Sequence, residues 1–383
     1  MGGVSMETYK LSDLCVILDA KRKPLSALQR AKKQGIYPYY GAQGIIDHLD
    51  DYLLDGEYLL VAEDGANLET RNQPIANIAK GKIWVNNHAH VLGSNGKCPL
   101  NLLGFILNNM NISPYVTGCA QPKLNQENLR NIEIELPSHI DSIASILSSL
   151  DRKIELNNKI NADLEEMAQA IFKNWFVDFE PFKDGKFVDS ELGMIPEGWK
   201  VVVFDNILKV TTTKTGKEGI PEYSVTNTGI HPRDEKFTKN LSKSSAKNKL
   251  IRKGNLVFGM SREILNWGIM KEEVGGVSSA YNVYIVDEKI VNTTYLECFI
   301  AQRMDYFADL IKPASREGQG VDKALLMKKI ICIPPSEVMD VFLEKYNSII
   351  HLTEIRNQEN SRLSLLRDTL LPRLMSGEIE VPE

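Results

Sequence analysis

Two histidines, His88 and His90, are the residues whose type and spacing first suggest chemistry in this sequence. They stand two apart in an apolar stretch, so both side chains would leave the same face of a strand and could bind one metal ion together. No cysteine or carboxylate is spaced to complete such a site, so we expect strand residues that face the core or a binding surface. The Ala-Glu-Asp-Gly sequence at 62–65 offers carboxylates for acid–base chemistry, but Asp-Gly is typical of a turn, and a turn is the favoured interpretation.

Motifs for several catalytic chemistries are absent from the sequence. An amino-methyltransferase needs Asp or Asn, two prolines and an aromatic residue in one loop, and the only adjacent prolines here are Pro334 and Pro335, followed by serine. No phosphate-binding loop with the spacing Gly-x4-Gly-Lys-Ser/Thr occurs. A nuclease-type Glu-x-Lys pair is missing, and the Asp184–Lys186 pair lies in a polar loop. We therefore predict a chain with no catalytic residue, no metal site and no cofactor of its own.

Composition limits the class of protein further. The 383 residues exceed one ordinary core, which predicts two or more domains. No apolar run is long enough to cross a membrane, and no membrane partner is expected. Five scattered cysteines are typical of reduced thiols in the cytoplasm rather than of a disulfide framework, and they are Cys15, Cys98, Cys119, Cys298 and Cys332.

The net charge of −5 hides two basic stretches. Residues 21–33 hold six Lys or Arg and no acid, and residues 231–253 hold eight Lys or Arg against Asp234 and Glu235. A solvated loop is the ordinary explanation for one such stretch, but one in each half of the chain favours contact with DNA phosphates. The candidates for phosphate contact are Lys21, Arg22, Lys23, Arg30, Lys32 and Lys33 in the first half and Lys236, Lys239, Lys243, Lys247 and Lys249 in the second.

Reading a base sequence needs side chains with a shaped set of donors and acceptors, such as Arg, Asn and Gln. Residues of this kind lie in loops that flank the predicted strands. They are Gln43, Asn67 and Asn87 in the first half and Ser261, Arg262 and Asn266 in the second. The alternative to a simple turn for the Asp-Gly segment at 64–65 is a loop that contacts bases.

A long helix is predicted over residues 139–176, where no Gly or Pro interrupts a spacing of four and three residues. The seam residues are Ile143, Leu147, Leu150, Ile154, Asn157, Asn161, Leu164, Ala168, Ile171 and Trp175. A shift of 199 residues superposes this segment on a second one at 336–375, and aligns Glu155 with Glu354 and Asn158 with Asn357. Two helices of matched length on one chain favour intramolecular pairing, with Asn157 and Asn161 set against Arg356 and Asn360.

The repeat extends beyond the helices. Strand-like segments at 131–137 and 329–335 precede them, and each half has the same order of apolar strands, an amphipathic helix, a turn and a last strand. In the first half the strands are expected at 56–64 and 81–93 and the helix at 99–110. In the second half the strands are expected at 254–260 and 275–287, and the helix is expected at 293–311. The predicted fold class is α+β, with two mixed α/β modules, each followed by a long helix, and the two helices paired as an antiparallel coiled coil.

The predicted domain organisation has five parts. They are a first module at 1–138, a central helix at 139–180, a linker at 181–198, a second module at 199–335, and a C-terminal helix and tail at 336–383.

With this organisation the chain resembles the specificity subunits of type I restriction–modification systems. The matching segments are YPYYGAQGIID (37–47), LLDGEYLLVAEDGAN (53–67), GCAQPKLN (118–125), IELNNKINADLEEMAQAIFKNWFVDFEPF (154–182), LGMIPEGW (192–199) and RDTLLPRLMSGEI (367–379). The second module departs from this pattern, since it has no clear YYGA or AEDG equivalent.

The resemblance implies that the two modules are target-recognition domains, each reading one half of a bipartite site in double-stranded DNA, with the helices as a spacer. It implies two methyltransferase subunits as partners, with S-adenosylmethionine, and restriction subunits that use ATP and Mg²⁺. Two other classes of function stay open from the residues alone: a restriction–modification polypeptide with its own catalytic activity, and a coiled-coil DNA-binding protein that acts without a methyltransferase.

Overall fold

A computed structural model describes residues 6–118, 121–137, 140–233, 244–261, 264–311 and 321–379. The chain divides into two compact units. The first unit comprises Met1–Lys159 and Arg356–Glu383, and the second comprises Ile160–Ile355. Among the described residues, no helix is long and apolar enough to span a membrane.

Among its described residues, the first unit holds eight strands, six α-helices of which the last continues into the second unit, and the C-terminal part of a long helix that begins in the second unit. The strands are β1 Met6–Lys10, β2 Cys15–Ile17, β3 Gln34–Gly41, β4 Gly44–Leu49, β5 Leu54–Ala62, β6 Ala76–Val85, β7 Ala89–Ser94 and β8 Glu133–Pro137. The helices are α1 Leu11–Leu14, α2 Ala27–Ala31, α3 Asn67–Thr70, α4 Leu100–Asn109, α5 Gln126–Arg130 and α6 Ile140–Phe176.

Six of these strands form one sheet in the order β2-β7-β5-β6-β3-β4. Gly56 and Gly81 are partners across β5 and β6, and both have positive φ angles, 147° and 77°. Glycine tolerates this conformation, which bends both strands at the same level. β6 can therefore pair with β5 along most of its length and with β3 at its end, through Tyr39–Trp84 and Tyr40–Val85. Apolar side chains of β5, β6 and β7 form one buried cluster, and other side chains of the same strands form a second cluster with α4.

The second unit has a different sheet arrangement. Its strands are β9 Phe187–Val188, β10 Ile195–Pro196, β11 Lys200–Val203, β12 Leu208–Thr211, β13 Tyr223–Thr226, β14 Gly229–Pro232, β15 Lys249–Arg252, β16 Leu256–Phe258, β17 Trp267–Ile269, β18 Val274–Val277, β19 Asn282–Val286 and β20 Ile330–Ile333. Its helices are α7 Phe204–Ile207, α8 Thr293–Gln302, α9 Met304–Phe307, α10 Lys323–Lys328 and α11 Ser336–Met375, the last of which continues into the first unit. A four-stranded sheet has the order β12-β19-β16-β17, and β13-β14 and β15-β18 are separate antiparallel pairs.

The internal repeat is visible in how each module begins and ends. Each opens with a strand, a one-turn helix and a second strand, and the opening strand pairs antiparallel with the strand before the long helix, as β1 with β8 and β11 with β20. The same backbone hydrogen bond recurs, from Leu11 N to Ile132 O and from Phe204 N to Lys329 O, each at 2.8 Å. The repeat therefore covers the framework as well as the helices.

Each unit contains an antiparallel pairing of α6 with α11. In the first unit, Asn157 donates to Asn360 Oδ1 at 2.9 Å, and Arg367 pairs with Asp151 at 3.0 Å. In the second unit, the Phe342 ring lies 5.8 Å from Phe172 and 4.8 Å from that of Phe176. The predicted fold class is confirmed, including the paired helices and the polar contact of Asn157 with Asn360.

Candidate nucleic-acid interface

Four segments of the first unit meet at one edge of its bent sheet. They are the basic segment 21–23, the β3–β4 turn, the β6–β7 turn at 86–88, and the described residues of the loop 117–125, which are 117–118 and 121–125. Backbone hydrogen bonds join them: Lys23 N donates to Val85 O and Asn86 N donates to Tyr40 O, both at 3.1 Å. The loop is attached at Glu63, which accepts from Leu124 N at 2.8 Å, while Glu63 N donates to His88 O at 2.9 Å. We call this region the loop edge.

A cluster of charged side chains lies at the loop edge, and we call Asp19, Arg22, Glu63, His90 and Lys123 the charged cluster. Arg22 contacts both carboxylates, with Nη1 at 2.5 Å from Glu63 and Nη2 at 3.3 Å from Asp19. Its Nη1 also donates to the Ala89 carbonyl at 2.9 Å. Lys123 Nζ lies 3.1 Å from the second oxygen of Glu63. Positive and negative groups are therefore matched in the interior, as buried charges require.

His90 occupies the centre of the charged cluster and is 1% exposed. Its Nδ1 is hydrogen-bonded to Asp19 at 2.6 Å, and its Nε2 donates to the Leu124 carbonyl at 2.7 Å. Asp19, Glu63 and His90 offer ligand atoms within 4.8 Å of one another, which is compatible with a metal ion. Both ring nitrogens are already engaged, however, and Arg22 supplies positive charge to the two carboxylates. The arrangement fits a structural ion network better than a metal centre.

The two histidines of the predicted pair therefore separate. His90 is buried among these groups, whereas His88 is exposed and its Nδ1 lies 2.7 Å from Asp64. The expectation of a strand residue that faces the core is confirmed for His90, which lies buried on β7. It is wrong for His88, which lies in the turn at 86–88, because residues 81–93 form the end of β6 and most of β7 rather than a single strand. Asp64 and Gly65 follow β5, where Gly65 has a φ of 110°, as the turn interpretation of this segment requires.

Burial opposes ionisation of Asp19, but hydrogen bonds and charge from His90, Val91 and Arg22 outweigh it and hold the pKa of Asp19 below its usual value. Burial likewise opposes ionisation of Glu63, and Arg22, Lys123 and His90 lower the pKa of Glu63 overall. Both carboxylates thus stabilise the fold when ionised.

Acid should consequently weaken the first unit. A carboxylate whose pKa is lowered on folding contributes stability above its unfolded pKa of about 4, and that contribution is lost as pH falls through the lower folded value. We expect the midpoint of urea unfolding to fall most steeply between about pH 5 and pH 2, and Asp19→Asn to flatten this dependence. Denaturation followed across this range checks the result. Asp55→Asn, at an exposed position, is the matched control, and an equal flattening there would contradict the assignment to Asp19.

The structure divides the six basic residues predicted to contact DNA in the first module. Arg22 points into the charged cluster, Arg30 pairs with Asp47 at 2.8 Å, and Lys33 lies 3.4 Å from Asp50. Lys21, Lys23 and Lys32 are exposed, and within the described residues none of the three has a carboxylate partner. Of these three, Lys21 and Lys23 lie in the basic segment of the loop edge.

The predicted base-reading residues of the first module also differ in their surroundings. Gln43 is exposed in the β3–β4 turn, and Asn87 is exposed in the β6–β7 turn, so both lie at the loop edge. Asn67 is buried in α3, where its side chain donates to Gln73 O at 2.9 Å and accepts from Gln73 N at 3.0 Å. Asn67 therefore fixes the segment 67–73 in place.

In the second module, four candidates are described. Lys247 is exposed, and Lys249 is half-buried with its Nζ donating to Tyr281 O at 2.5 Å. Ser261 is buried and accepts from Asn266 N at 2.9 Å, and Asn266 Nδ2 donates to Met260 O at 2.5 Å. Ser261 and Asn266 thus hold the β16–β17 loop together. The remaining candidates lie outside the described residues: Lys236, Lys239, Lys243 and Arg262.

Two loop-edge residues were missed by the sequence reasoning. Lys123 and His88 are both exposed beside the basic segment, and each contacts an acidic residue of the segment 63–64. His88 was considered as a metal ligand or as a strand residue facing the core or a binding surface, and was not among the candidates for DNA contact; Lys123 stands in a stretch with no basic excess. The backbone bridge that brings Lys123 to Asp64 joins residues far apart in sequence, so no local pattern marks it.

Comparison with known proteins finds relatives of this chain among the specificity subunits of type I restriction enzymes. Residues 3–166 match the family model described as type I restriction modification DNA specificity domain. The type I restriction enzyme MjaIX specificity subunit of Methanocaldococcus jannaschii is 30% identical over 289 residues, which cover 70% of this chain and 65% of that subunit. A Haemophilus influenzae protein, S.HindORF215P, whose naming as a type I restriction enzyme specificity subunit is provisional, is 27% identical over 383 residues and 96% of each chain.

The fold has a counterpart among solved structures. The S subunit of a type I restriction–modification system from M. genitalium matches with a TM-score of 0.53 and 11% identity, covering 98% of this chain and 97% of that one. This match supports the fold, and the sequence matches point to the same group of proteins. In sequence and in fold, the chain is similar to type I restriction–modification DNA specificity subunits.

Proposed function

We propose that this chain is the DNA-reading subunit of a type I restriction–modification complex and recognises a bipartite site with one module per half-site. The observation that carries the proposal is the loop edge of the first unit. It places Lys21 and Lys23, two exposed lysines with no carboxylate partner in the described part of the chain, at the same edge as the exposed amides of Gln43 and Asn87. Cations of this kind bind phosphates, and amides of this kind read base edges.

The chemistry belongs to partner subunits in this proposal. Two methyltransferase subunits would carry S-adenosylmethionine, and restriction subunits would use ATP and Mg²⁺. Within the described part of the chain, the one group of His, Cys, Asp and Glu side chains with metal-ligand spacing is Asp19, Glu63 and His90. Its members are engaged by Arg22, Lys123 and the Leu124 carbonyl, which supports a structural role and a subunit without catalysis.

Methylation mapping tests this function. The full chain is expressed with the adenine methyltransferase subunit of a type I restriction–modification system, and the methylated positions are mapped across the genome of the host. We expect one bipartite motif that disappears when this chain is omitted. Methylation that needs no copy of this chain would contradict the proposal, as would adenine methylation by the purified chain alone.

Removing the charges of Lys21 and Lys23 should weaken DNA binding without changing the motif. Each lysine that neutralises a phosphate contributes a slope of about 0.9 in the dependence of log K on log salt. The double replacement Lys21→Gln/Lys23→Gln is therefore expected to lower affinity roughly 10-fold or more at 0.1 M salt and to reduce the slope by about 2. Titration of a labelled duplex at several salt concentrations measures both quantities.

The control removes two charges elsewhere in the first unit. Lys80 and Lys97 are exposed, and Lys80 already pairs with Glu57 at 3.7 Å. Lys80→Gln/Lys97→Gln is expected to change the slope by less than about 0.5, since neither residue lies at the loop edge. Equal slopes for the two double variants would contradict this placement of the interface.

A further inference from the structure

The tip of the β3–β4 hairpin is unusual for a surface turn. Ala42 and Gln43 connect Gly41 to Gly44, which are register partners, and Gly44 has a φ of 125° that suits glycine. The next register step pairs Tyr40 with Ile45, whereas Tyr39 pairs with Asp47. Ile46 is therefore the extra residue of a β-bulge. Bulges change the direction of side chains and are frequent beside functional sites.

The bulge allows two consecutive isoleucines to face solvent. In a regular strand, neighbouring side chains point to opposite faces, so one of the two would be covered by the sheet or its core. Ile45 is 51% exposed and Ile46 is 53% exposed. Ile46 fits over Gly41, because a Cβ at Gly41 would lie 3.3 Å from Ile46 Cγ2. The hairpin thus presents two apolar side chains next to the exposed amide of Gln43.

This apolar tip lies among the polar and cationic groups of the loop edge. Asn86 N donates to Tyr40 O at 3.1 Å, and the neighbouring Val85 O accepts from Lys23 N at 3.1 Å. Strands in a sheet are about 5 Å apart, so Tyr40 on β3 lies about two strand spacings from the Lys23 backbone and its partner Ile45 on β4 lies about three. Two exposed isoleucines at the same loop edge as lysines that have no carboxylate partner among the described residues suit a surface that meets both phosphates and apolar groups of DNA.

We propose that the hairpin tip reads one A·T base pair of the first half-site in the major groove. This inference rests on the proposed function. The Gln43 amide has the donor and acceptor geometry that matches adenine N6 and N7. On the same base pair, thymine presents its C5 methyl group, which is the apolar feature of the major groove, and Ile45 and Ile46 supply the apolar contact to it. The amide and the isoleucines together distinguish A·T from the other pairs.

The test uses DNA that lacks the methyl group. Once the bipartite motif is known, each thymine of the first half-site is replaced singly by deoxyuridine, and affinity is measured for the full chain in complex with its methyltransferase. We expect one position at which wild type loses about three- to fourfold in affinity, the value of one buried methyl group. For Ile45→Ala/Ile46→Ala, the same replacement should cost nothing further.

Gln43→Ala examines the other half of the contact. At the same base pair, this variant is expected to lose about tenfold or more of the discrimination between A·T and G·C, while the second half-site keeps its full discrimination. Ile36→Ala is the matched control, because Ile36 is 79% exposed and lies on β3 five residues before Gly41. It should behave as wild type on every duplex.

The outcomes separate this inference from the proposed function. If the complex binds no specific sequence, the proposed function itself is wrong. If it binds specifically, but deoxyuridine costs the wild type nothing at every thymine of the first half-site, the hairpin inference is wrong and the function stands. Equal deoxyuridine effects in wild type and Ile45→Ala/Ile46→Ala would also overturn it. If this variant instead loses its methyltransferase partner in gel filtration, the isoleucines serve a protein contact and the inference is again overturned.

Discussion

Replacing Arg22 by methionine is expected to lower the free energy of unfolding of the first unit by about 3–5 kcal/mol, the usual cost of removing one partner from a buried ion pair. The guanidinium contacts Glu63 at 2.5 Å, Asp19 at 3.3 Å and the Ala89 carbonyl at 2.9 Å. Methionine has a similar length and an apolar side chain, so the loss reports the missing charge and hydrogen bonds rather than a large cavity. Without the Arg22 guanidinium, Asp19 would keep His90 as a partner and Glu63 would keep Lys123, and the repulsion between the two carboxylates would be less compensated.

Urea unfolding followed by fluorescence measures this loss, and Lys32→Met is its control. Lys32 belongs to the same basic stretch but is exposed, so its replacement should change stability by less than about 0.5 kcal/mol. Adding Glu63→Gln to Arg22→Met should recover part of the loss, because the uncompensated carboxylate is then removed. A loss below about 1 kcal/mol for Arg22→Met would show that the charged cluster does not depend on Arg22.

The same variant should affect DNA reading in the first module alone. Arg22 ties the basic segment to β7 and to Glu63, and Glu63 in turn is bonded to Leu124 of the loop 117–125. Loosening these contacts is expected to weaken recognition of the first half-site even below the unfolding temperature. Lys21 and Lys23 would keep their charges but lose their fixed positions.

The long helices were the most predictable part of the fold. Residues 139–176 and 336–375 were expected to be helical, and the structure has α6 at Ile140–Phe176 and α11 at Ser336–Met375. This success has a physical reason. A heptad seam is a local pattern that recurs every three or four residues, and the absence of Gly and Pro through 139–176 leaves nothing to interrupt that helix.

The modules were predictable in order but not in pairing. The segment 81–93 was expected to be one strand, whereas it contains the end of β6, a turn and most of β7. Similarly, 275–287 contains most of β18 and all of β19, and the helix expected at 293–311 is interrupted at Arg303. Apolar alternation continues across both turns, so periodicity alone does not reveal where the chain reverses. Pairing depends on strands distant in sequence, which a single sequence does not show.

The candidate site shows the same limit at the level of single residues. The basic stretch 21–33 offered six equivalent cations, and the structure turns Arg22 inward because Glu63, 41 residues away, lies beside it. Asn67 resembled an exposed loop amide but is buried by its contacts with Gln73. Gln43 and Asn87 were chosen from separate loops, and they meet at one edge only because β3 and β6 are parallel neighbours. The kinds of residue suited to DNA contact could therefore be found from the sequence, whereas the direction in which each side chain points is set by contacts with residues distant in sequence.

The second large effect is expected from exchanging the second module. Replacing residues 200–333 by the corresponding segment of a family member with a different motif should change the second half of the recognised site completely and leave the first half unchanged. Specific sites are typically bound at least about 10³-fold more tightly than other DNA, so loss of the original motif should be close to total. Methylation mapping reads both halves in one experiment.

The boundaries of this exchange follow from the register of the closing strands. Lys200 pairs with Ile333 and Val203 with Ile330, so β11 and β20 enter and leave the module side by side. The module also packs on the helix segments of its own unit, where Tyr295 lies 5.4 Å from Phe172 and 5.0 Å from Phe176 between ring centroids. A donor segment should therefore keep an aromatic residue at position 295.

A second exchange, of the whole unit 160–355, provides the control for that packing. It transfers both helix segments together with the module and so preserves every contact within the unit. If both exchanges give the donor's second half-site, the predicted module boundaries at 199 and 335 are sufficient for recognition. If only the larger one is stable, the helix segments are part of the folding unit, and recognition is still modular. A change in the first half-site after either exchange would contradict the assignment of one module to each half, since no residue of the first unit's loop edge is altered.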